Sequence, residues 1–136
     1  ATVPQYLPDR KKWKLSASHN PSKVSSAVDG NLGTRFDTGA VMVPGMWFQI
    51  ELPKVMEVSG LRLDSAGSVL DYPSGYEVTV SVDGKSWSSP LVKGQGTQPL
   101  TEIYFRGVKA KFIKVIQTGK RPGKYWSIHD LQIYGK

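Results

Sequence analysis

The sequence predicts an all-β domain, a two-layer sandwich of about eight mainly antiparallel strands. Three observations predict it. Apolar and polar residues alternate at period two through the middle and end of the chain. No window of about 11 residues carries a convincing helical period. Gly and Pro, at 14 and 9 of 136 residues, punctuate the chain often enough to end strands at short intervals.

Taken in order, the first strand is expected at Trp13–Ser18. From Met46 to Leu52, the residues Met46, Phe48, Ile50 and Leu52 fall on one face, with Trp47, Gln49 and Glu51 on the other. Val58–Asp64 follows, and then Tyr76–Val82, where an aromatic and three valines alternate with Glu77, Thr79 and Ser81. Asp83-Gly84 turns that strand back toward Trp87, a hairpin signal. The remaining strands read at Leu100–Phe105, Ala110–Gln117 and His129–Tyr134. Long irregular stretches at Ser18–Met46, Asp64–Gly75 and Thr118–Ser127 join them. Loops of this length in a compact sandwich are functional or disordered, and these are too aromatic and too punctuated for disorder.

The length suits one domain, residues 1–136, and no run approaches the roughly 18 apolar residues of a membrane-spanning helix. The chain opens Ala1-Thr2-Val3 with no basic-then-apolar leader, which reads as a piece excised or processed from a larger protein. The absence of Cys excludes disulfides, thiolate catalysis and zinc–thiolate sites together. Lys and Arg outnumber Asp and Glu by 18 to 11, a net charge of +7 that favours an anionic partner. The positives are spread, however, as Arg10-Lys11-Lys12-x-Lys14, Lys109-x-Lys111-x-x-Lys114 and Lys120-Arg121-x-x-Lys124, and Lys along a strand also guards sheet edges. Nucleic-acid binding wants basic residues clustered among stacking aromatics. Only Lys120–Trp126 approaches that, so nucleic acid is not the expected partner. Catalysis is not expected either: there is no Gly-x-Ser-x-Gly, no phosphate-cradling loop and no zinc spacing, and only two His. Asp64 and Asp71 could in principle form an acid/base pair as in glycosidases, but nothing in the sequence around them favours it.

The stretch Ala27-Val28-Asp29-Gly30-Asn31-Leu32-Gly33-Thr34-Arg35-Phe36 concentrates Asp29, Asn31, Thr34 and turn carbonyls on glycine-relaxed backbone. Hard cations such as Ca²⁺ take six to eight oxygen ligands, turn carbonyls among them. Asp-Gly and Asn-x-Gly also bend a chain with no metal at all, and the spacing is not that of an EF-hand. Residue types alone leave both readings open.

The order of the pieces resembles the discoidin or coagulation factor 5/8 type C superfamily, and most closely the family 32 carbohydrate-binding modules of bacteria. The matching residues are Trp13, Ala27-x-Asp29-Gly30-Asn31-x-x-Thr34-x-Phe36, Trp47-Phe48-Gln49-Ile50-Glu51-Leu52 and Gly75-Tyr76-Glu77-Val78. They continue through Val80-Ser81-x-Asp83-Gly84-x-x-Trp87, Ala110-x-Phe112-Ile113-x-Val115 and Trp126-Ser127-Ile128-x-Asp130-Leu131-x-Ile133-Tyr134-Gly135. The resemblance implies a discoidin-type, galactose-binding-domain-like jelly roll with a ligand face made by loops at one end. It implies a non-catalytic module of a secreted, periplasmic or cell-surface protein, a monomer within a multidomain chain, binding a glycan. The charge adds an acidic glycan as a candidate. It also implies a structural Ca²⁺, with oxygens from Asp29, Asn31 and Thr34, backbone oxygens from Ala27 and His129, and a closing carboxylate from Asp130. The family usually has Glu where Asp130 stands, one methylene longer.

On the ligand face, an aromatic ring covers the apolar side of a sugar while short polar groups meet its hydroxyls. Trp126 and Tyr125 are the platform candidates, the alternative being that one of them plugs the sandwich end. Galactose-binding relatives often carry His after the Trp of a Thr-x-Trp motif and Arg in the loop before the Tyr-Glu-Val strand. Here Asp37 follows Phe36, and Asp64-Ser65-Ala66-Gly67-Ser68 contains no Arg, a departure from galactose recognition. The polar candidates are His19, Asn20, Arg35, Asp37, Asp64, Asp71, Tyr72, Arg121 and Lys124. Asp37 and Asp64 are equally suited to capping their own turns. The apolar tips Val41-Met42-Val43 and Val69-Leu70 suggest the alternative, a membrane-surface or protein-adhesion module inserting Met42 and Leu70, against the simpler reading that Met42 folds under its loop as core.

Overall fold

The computed structural model describes residues 5–136; Ala1–Pro4, the start of the expected domain, lie outside the described residues. Its strands are β1 (Lys14–Ala17), β2 (Phe36–Asp37), β3 (Met46–Asp64), β4 (Tyr76–Ser81), β5 (Val92–Gly94), β6 (Leu100–Gln117), β7 (Ser127–Ile128) and β8 (Asp130–Gly135). Among the described residues helix is confined to 3₁₀ turns at Arg10–Lys12 and Pro21–Ala27. One sheet runs β1-β3-β6-β4-β5, with β8 on the far half of β3, and β2 pairs with β7 in a second small sheet.

Segments expected as separate strands are joined. β3 unites Met46–Leu52 with Val58–Asp64, and β6 unites Leu100–Phe105 with Ala110–Gln117. The reason is that β3 and β6 pair with each other from Met46↔Gln117 to Asp64↔Leu100. Register shifts between Glu51 and Met56 and between Val58 and Gly60 bend this ladder without ending it. Pro53, which has no N–H to donate, sits at the first shift. Gly60 sits at the second, where a Cβ would lie 2.2 Å from the Ile103 carbonyl oxygen, so no larger residue fits that close approach.

The bend folds the long ladder over one core. Phe48, Ile50, Val78, Ile113 and Val115 come from the half beside β1 and β4; Leu61, Leu63, Ile103, Leu131 and Ile133 come from the half beside β8. The expected inward face of β3, Met46, Phe48, Ile50 and Leu52, is buried. The Asp83-Gly84 turn forms, with Asp83 Oδ1 accepting the N–H groups of Lys85 and Ser86 at 2.8 and 2.9 Å. The return strand comes later than Trp87. That ring leaves the ladder to meet Phe112 edge to face at 6.3 Å, with the Lys114 ammonium 4.3 Å from its centre. Pairing resumes with Ser88 N–H to Val80 O at 2.9 Å and Leu91 N–H to Val78 O at 2.8 Å, and then β5.

The small β2–β7 sheet positions the candidate site. Its register is Phe36↔Ile128 and Asp37↔Ser127, so it draws the long segments on either side of β2 toward the one before β7.

Candidate functional site

Arg35 precedes β2 and stands at the centre of a polar network. Its Nε lies 3.2 Å from Asp37 Oδ2 and its NH1 3.6 Å from Asp71 Oδ2, while NH1 donates to Ser68 Oγ at 2.8 Å. The Arg35 side chain stays 40% exposed. Asp71 is buried beneath it, accepting the Ser127 hydroxyl at 2.6 Å, and its carbonyl takes the Ser127 N–H at 2.9 Å. Asp37 also accepts the Gly39 N–H at 2.9 Å through Oδ1, and Asn20 Nδ2 donates to the Asp37 carbonyl at 2.8 Å. Asn20, Arg35, Asp37 and Asp71, all singled out from the sequence, are therefore brought together.

Ser68 passes the network inward. Its Oγ lies 2.7 Å from His129 Nε2, and His129 Nδ1 lies 2.7 Å from the Leu32 carbonyl oxygen. A carbonyl can only accept, so Nδ1 donates to Leu32; in the neutral ring Nε2 then accepts from Ser68, whose oxygen accepts from Arg35. A buried histidine thus links the exposed guanidinium to the Asp29–Thr34 turn.

Other candidates are placed differently. Trp126 is fully buried and cannot serve as an exposed platform. Trp126 shares the inward face of its strand with Ile128, two residues on, and its backbone pairs with Thr38, two beyond Phe36. The period-two rule therefore sends its ring into the core, where its Nε1 finds no hydrogen-bond partner among the described residues. Tyr125, on the opposite phase, is 40% exposed. Met42 is likewise no apolar spike: it is fully buried, with its N–H on the Lys124 carbonyl at 2.8 Å and its sulfur 3.4 Å from the Ser74 nitrogen. Its neighbours Val41 and Val43 are exposed, as are Val69 and Leu70.

Arg121 is committed to structure. Its guanidinium donates to the Leu70 carbonyl and to the Tyr72 carbonyl at 3.3 Å, and lies 4.3 Å from the centre of the Tyr72 ring. Of the two basic candidates in this loop, only Lys124 keeps its side-chain charge unengaged in an ion pair or hydrogen bond among the described residues. Asp64 caps its own turn, Oδ1 accepting the Ala66 N–H at 2.7 Å. His19 contacts the neighbouring Ser18 hydroxyl at 2.8 Å, a local contact outside the Arg35 network.

The turn expected to hold a cation closes on itself. Asp29 Oδ1 accepts the Asn31 N–H at 2.9 Å and Oδ2 accepts the Thr34 hydroxyl, whose oxygen lies 2.9 Å from the Asn31 carbonyl oxygen. Asn31 Oδ1 accepts the Gly33 N–H at 2.8 Å, and Gly30 takes the left-handed φ of +75° that the turn requires. The Thr34 hydroxyl first, then the Asn31 N–H, hold the Asp29 carboxyl below its usual range, with the Arg10 charge adding to the effect. Asp130, the expected closing carboxylate, faces a different partner. Arg10 NH1 lies 2.6 Å from its Oδ1 and donates to the Leu131 carbonyl at 3.1 Å. Among the described residues no three His, Cys, Asp or Glu side chains gather as a metal site. The oxygens of Asp29, Asn31 and Thr34 do cluster, but the set does not fit a calcium ion at its closing ligand, where a guanidinium already stands.

Sequence reasoning missed Arg10, Ser68 and Ser127. Arg10 lies 120 residues from Asp130, inside a basic run that looked like solvated surface. The two serines act through hydroxyls whose partners only the folded loops supply.

Comparison with known proteins follows this geometry. Residues 11–131 match the F5/8 type C domain. A sialidase of Micromonospora viridifaciens is 25% identical over 122 residues, covering 84% of this chain and 19% of that protein. The chain thus spans about a fifth of the length of the curated relatives it matches. The family 32 carbohydrate-binding module of Clostridium perfringens NanJ, solved with galactose, superposes with a TM-score of 0.81 at 22% identity, covering 97% of this chain and 99% of that one. Chitosan-binding module 2 from a Paenibacillus sp. IK-5 chitosanase/glucanase, solved with chitotriose, gives a TM-score of 0.74 at 26% identity over 91% of this chain and 97% of that one.

Proposed function

The chain belongs to the F5/8 type C domain family, and we propose that it works as a non-catalytic glycan-binding module of a larger secreted or surface protein. The observation that carries this reading is Arg35, held from one side by Asp37, Asp71 and Ser68 yet 40% exposed on the other. A guanidinium carries five N–H donors, and three acceptors on its protein side leave an edge for sugar hydroxyls or a carboxylate. Exposed Tyr125 supplies the apolar ring surface that the buried Trp126 cannot. The relatives solved with galactose and chitotriose, and the sialidase among the sequence relatives, support a carbohydrate as the ligand class.

The test is a glycan array probed with the purified domain and with Arg35→Ala. We expect discrete glycans to bind the parent, and the variant to lose affinity by about 1.5–3 kcal/mol, the range for a hydrogen bond to a charged group. Unchanged binding by Arg35→Ala would move the site elsewhere.

Exposed Val41, Val43, Val69 and Leu70 favour a second reading, docking to a membrane surface. Co-sedimentation with anionic vesicles, abolished by Val69→Ser with Leu70→Ser and accompanied by silence on the array, would put that reading first.

A further inference from the structure

We infer that Arg10 is this domain's built-in replacement for a structural metal: its guanidinium supplies the positive charge between the Asp29 turn and Asp130, and the fold is calcium-independent. The geometry is specific. Arg10 lies in the 3₁₀ turn Arg10–Lys12 that leads into β1, and its side chain reaches across to the start of β8. One terminal nitrogen serves both the Asp130 carboxylate, at 2.6 Å, and the Leu131 carbonyl, at 3.1 Å. Arg10 shares a groove wall with Val28, Asp29 and Gly30, so the same cation stands beside the turn expected to ligate metal.

Three features work together. Asp130 is one methylene shorter than Glu and meets a side chain long enough to come to it. The Asp29 carboxylate and Asn31 amide oxygens are engaged by hydrogen bonds of their own turn, so that turn closes without a metal. A dication placed between the turn and Asp130 would face a like charge at short range, where repulsion is weakly screened. The task of tying the N-terminal turn to β8 is done by a charge-assisted hydrogen bond whose partners are each only about a fifth exposed, at 21% and 22%. His129, next to Asp130, holds the other side of the same junction through the Leu32 carbonyl.

The experiment uses the whole chain and reads melting temperature, with calcium chloride and EDTA as the probes. The parent should melt at the same temperature in EDTA and in millimolar calcium, and calorimetric titration of calcium into it should give no binding heat. Arg10→Met keeps the aliphatic stem and removes the charge. It should melt about 5 °C or more below the parent, because an unpaired carboxylate is left at the junction. Should that variant fail to fold, Arg10→Lys retains a charge but loses the planar fork, and should fall between the two. A parent that loses stability in EDTA and regains it with calcium overturns the inference, as does an Arg10→Met protein that melts with the parent.

Discussion

Arg10 and Arg35 both meet aspartates on the two flanks of the His129 junction, and they sit in opposite circumstances. Arg10 concentrates on one carboxylate at 2.6 Å and one carbonyl, with 21% of its side chain exposed. Arg35 spreads over Asp37, Asp71 and Ser68 at 2.8 to 3.6 Å, with 40% exposed. A short, enclosed pair ties two segments of chain together. A distributed, half-open one orients a guanidinium while leaving N–H groups for an incoming partner. The same division separates the adjacent aromatics, Trp126 buried and Tyr125 exposed, and the adjacent apolar residues Met42 and Val43. At this end of the sandwich, packing takes one residue of each adjacent pair and leaves the other in solvent.

The largest effect expected of this division is on the closed side. Trp126→Ala removes a fully buried indole and should cost about 3–5 kcal/mol of stability in chemical denaturation. Tyr125→Ala should leave the denaturation midpoint nearly unchanged and weaken glycan binding by roughly 1–3 kcal/mol, as loss of an exposed aromatic anchor does. If the two variants exchanged behaviour, with Trp126→Ala folding like the parent and failing only to bind, the contrast between plug and platform would collapse. Next in size come the melting shift of Arg10→Met and the affinity loss of Arg35→Ala, one read in stability and the other in binding. Arg10→Met should leave glycan affinity largely untouched, whereas Arg35→Ala, which leaves the buried Asp71 carboxylate without its cation, should lower the melting temperature as well.

The strand pattern was legible because alternation records burial directly: Met46, Phe48, Ile50 and Leu52 declare a face wherever the strand happens to pair. What the pattern could not declare was continuity. Pro53-Lys54-Val55 looks like a break between strands, and only the partner β6, bending in step, makes it a bulge within one. The polar cluster around Arg35 was legible in some of its members rather than in their contacts. Asn20, Arg35, Asp37 and Asp71 were singled out as polar groups in long loops, and the fold gathers them. An aromatic or apolar residue in a loop looks exposed until pairing sets its phase, which the β2–β7 sheet does for Trp126 and the bridge to Arg121 does for Met42. Arg10 escaped notice because a pair 120 residues apart leaves no local signal. A related lesson concerns the Asp64–Gly75 loop, which contains no Arg of its own. Two arginines reach it from elsewhere, Arg35 to Ser68 and Arg121 to the Leu70 and Tyr72 carbonyls.

The smallest expected effect concerns the surplus of positive charge, and it separates an open cation from a committed one once more. Lys124 stands in the segment between Arg121 and Tyr125, turned by Pro122 and by Gly123 at φ +76°. Arg121, three residues earlier, is already satisfied by two carbonyls and the Tyr72 ring. If the glycan carries a carboxylate or sulfate, affinity should fall between low and physiological salt as screening shortens the reach of exposed charges. Lys124→Gln should flatten part of that slope at a cost of about 0.5–1 kcal/mol in low salt, the scale of an exposed ion pair. Arg121→Gln should instead loosen the Leu70–Tyr72 segment and lower the melting temperature. A neutral glycan would show almost no salt dependence, and Lys124→Gln would bind it as the parent does. In that case the +7 charge serves solubility and the protection of strand edges, and Arg35 acts through its hydrogen-bond geometry rather than its charge.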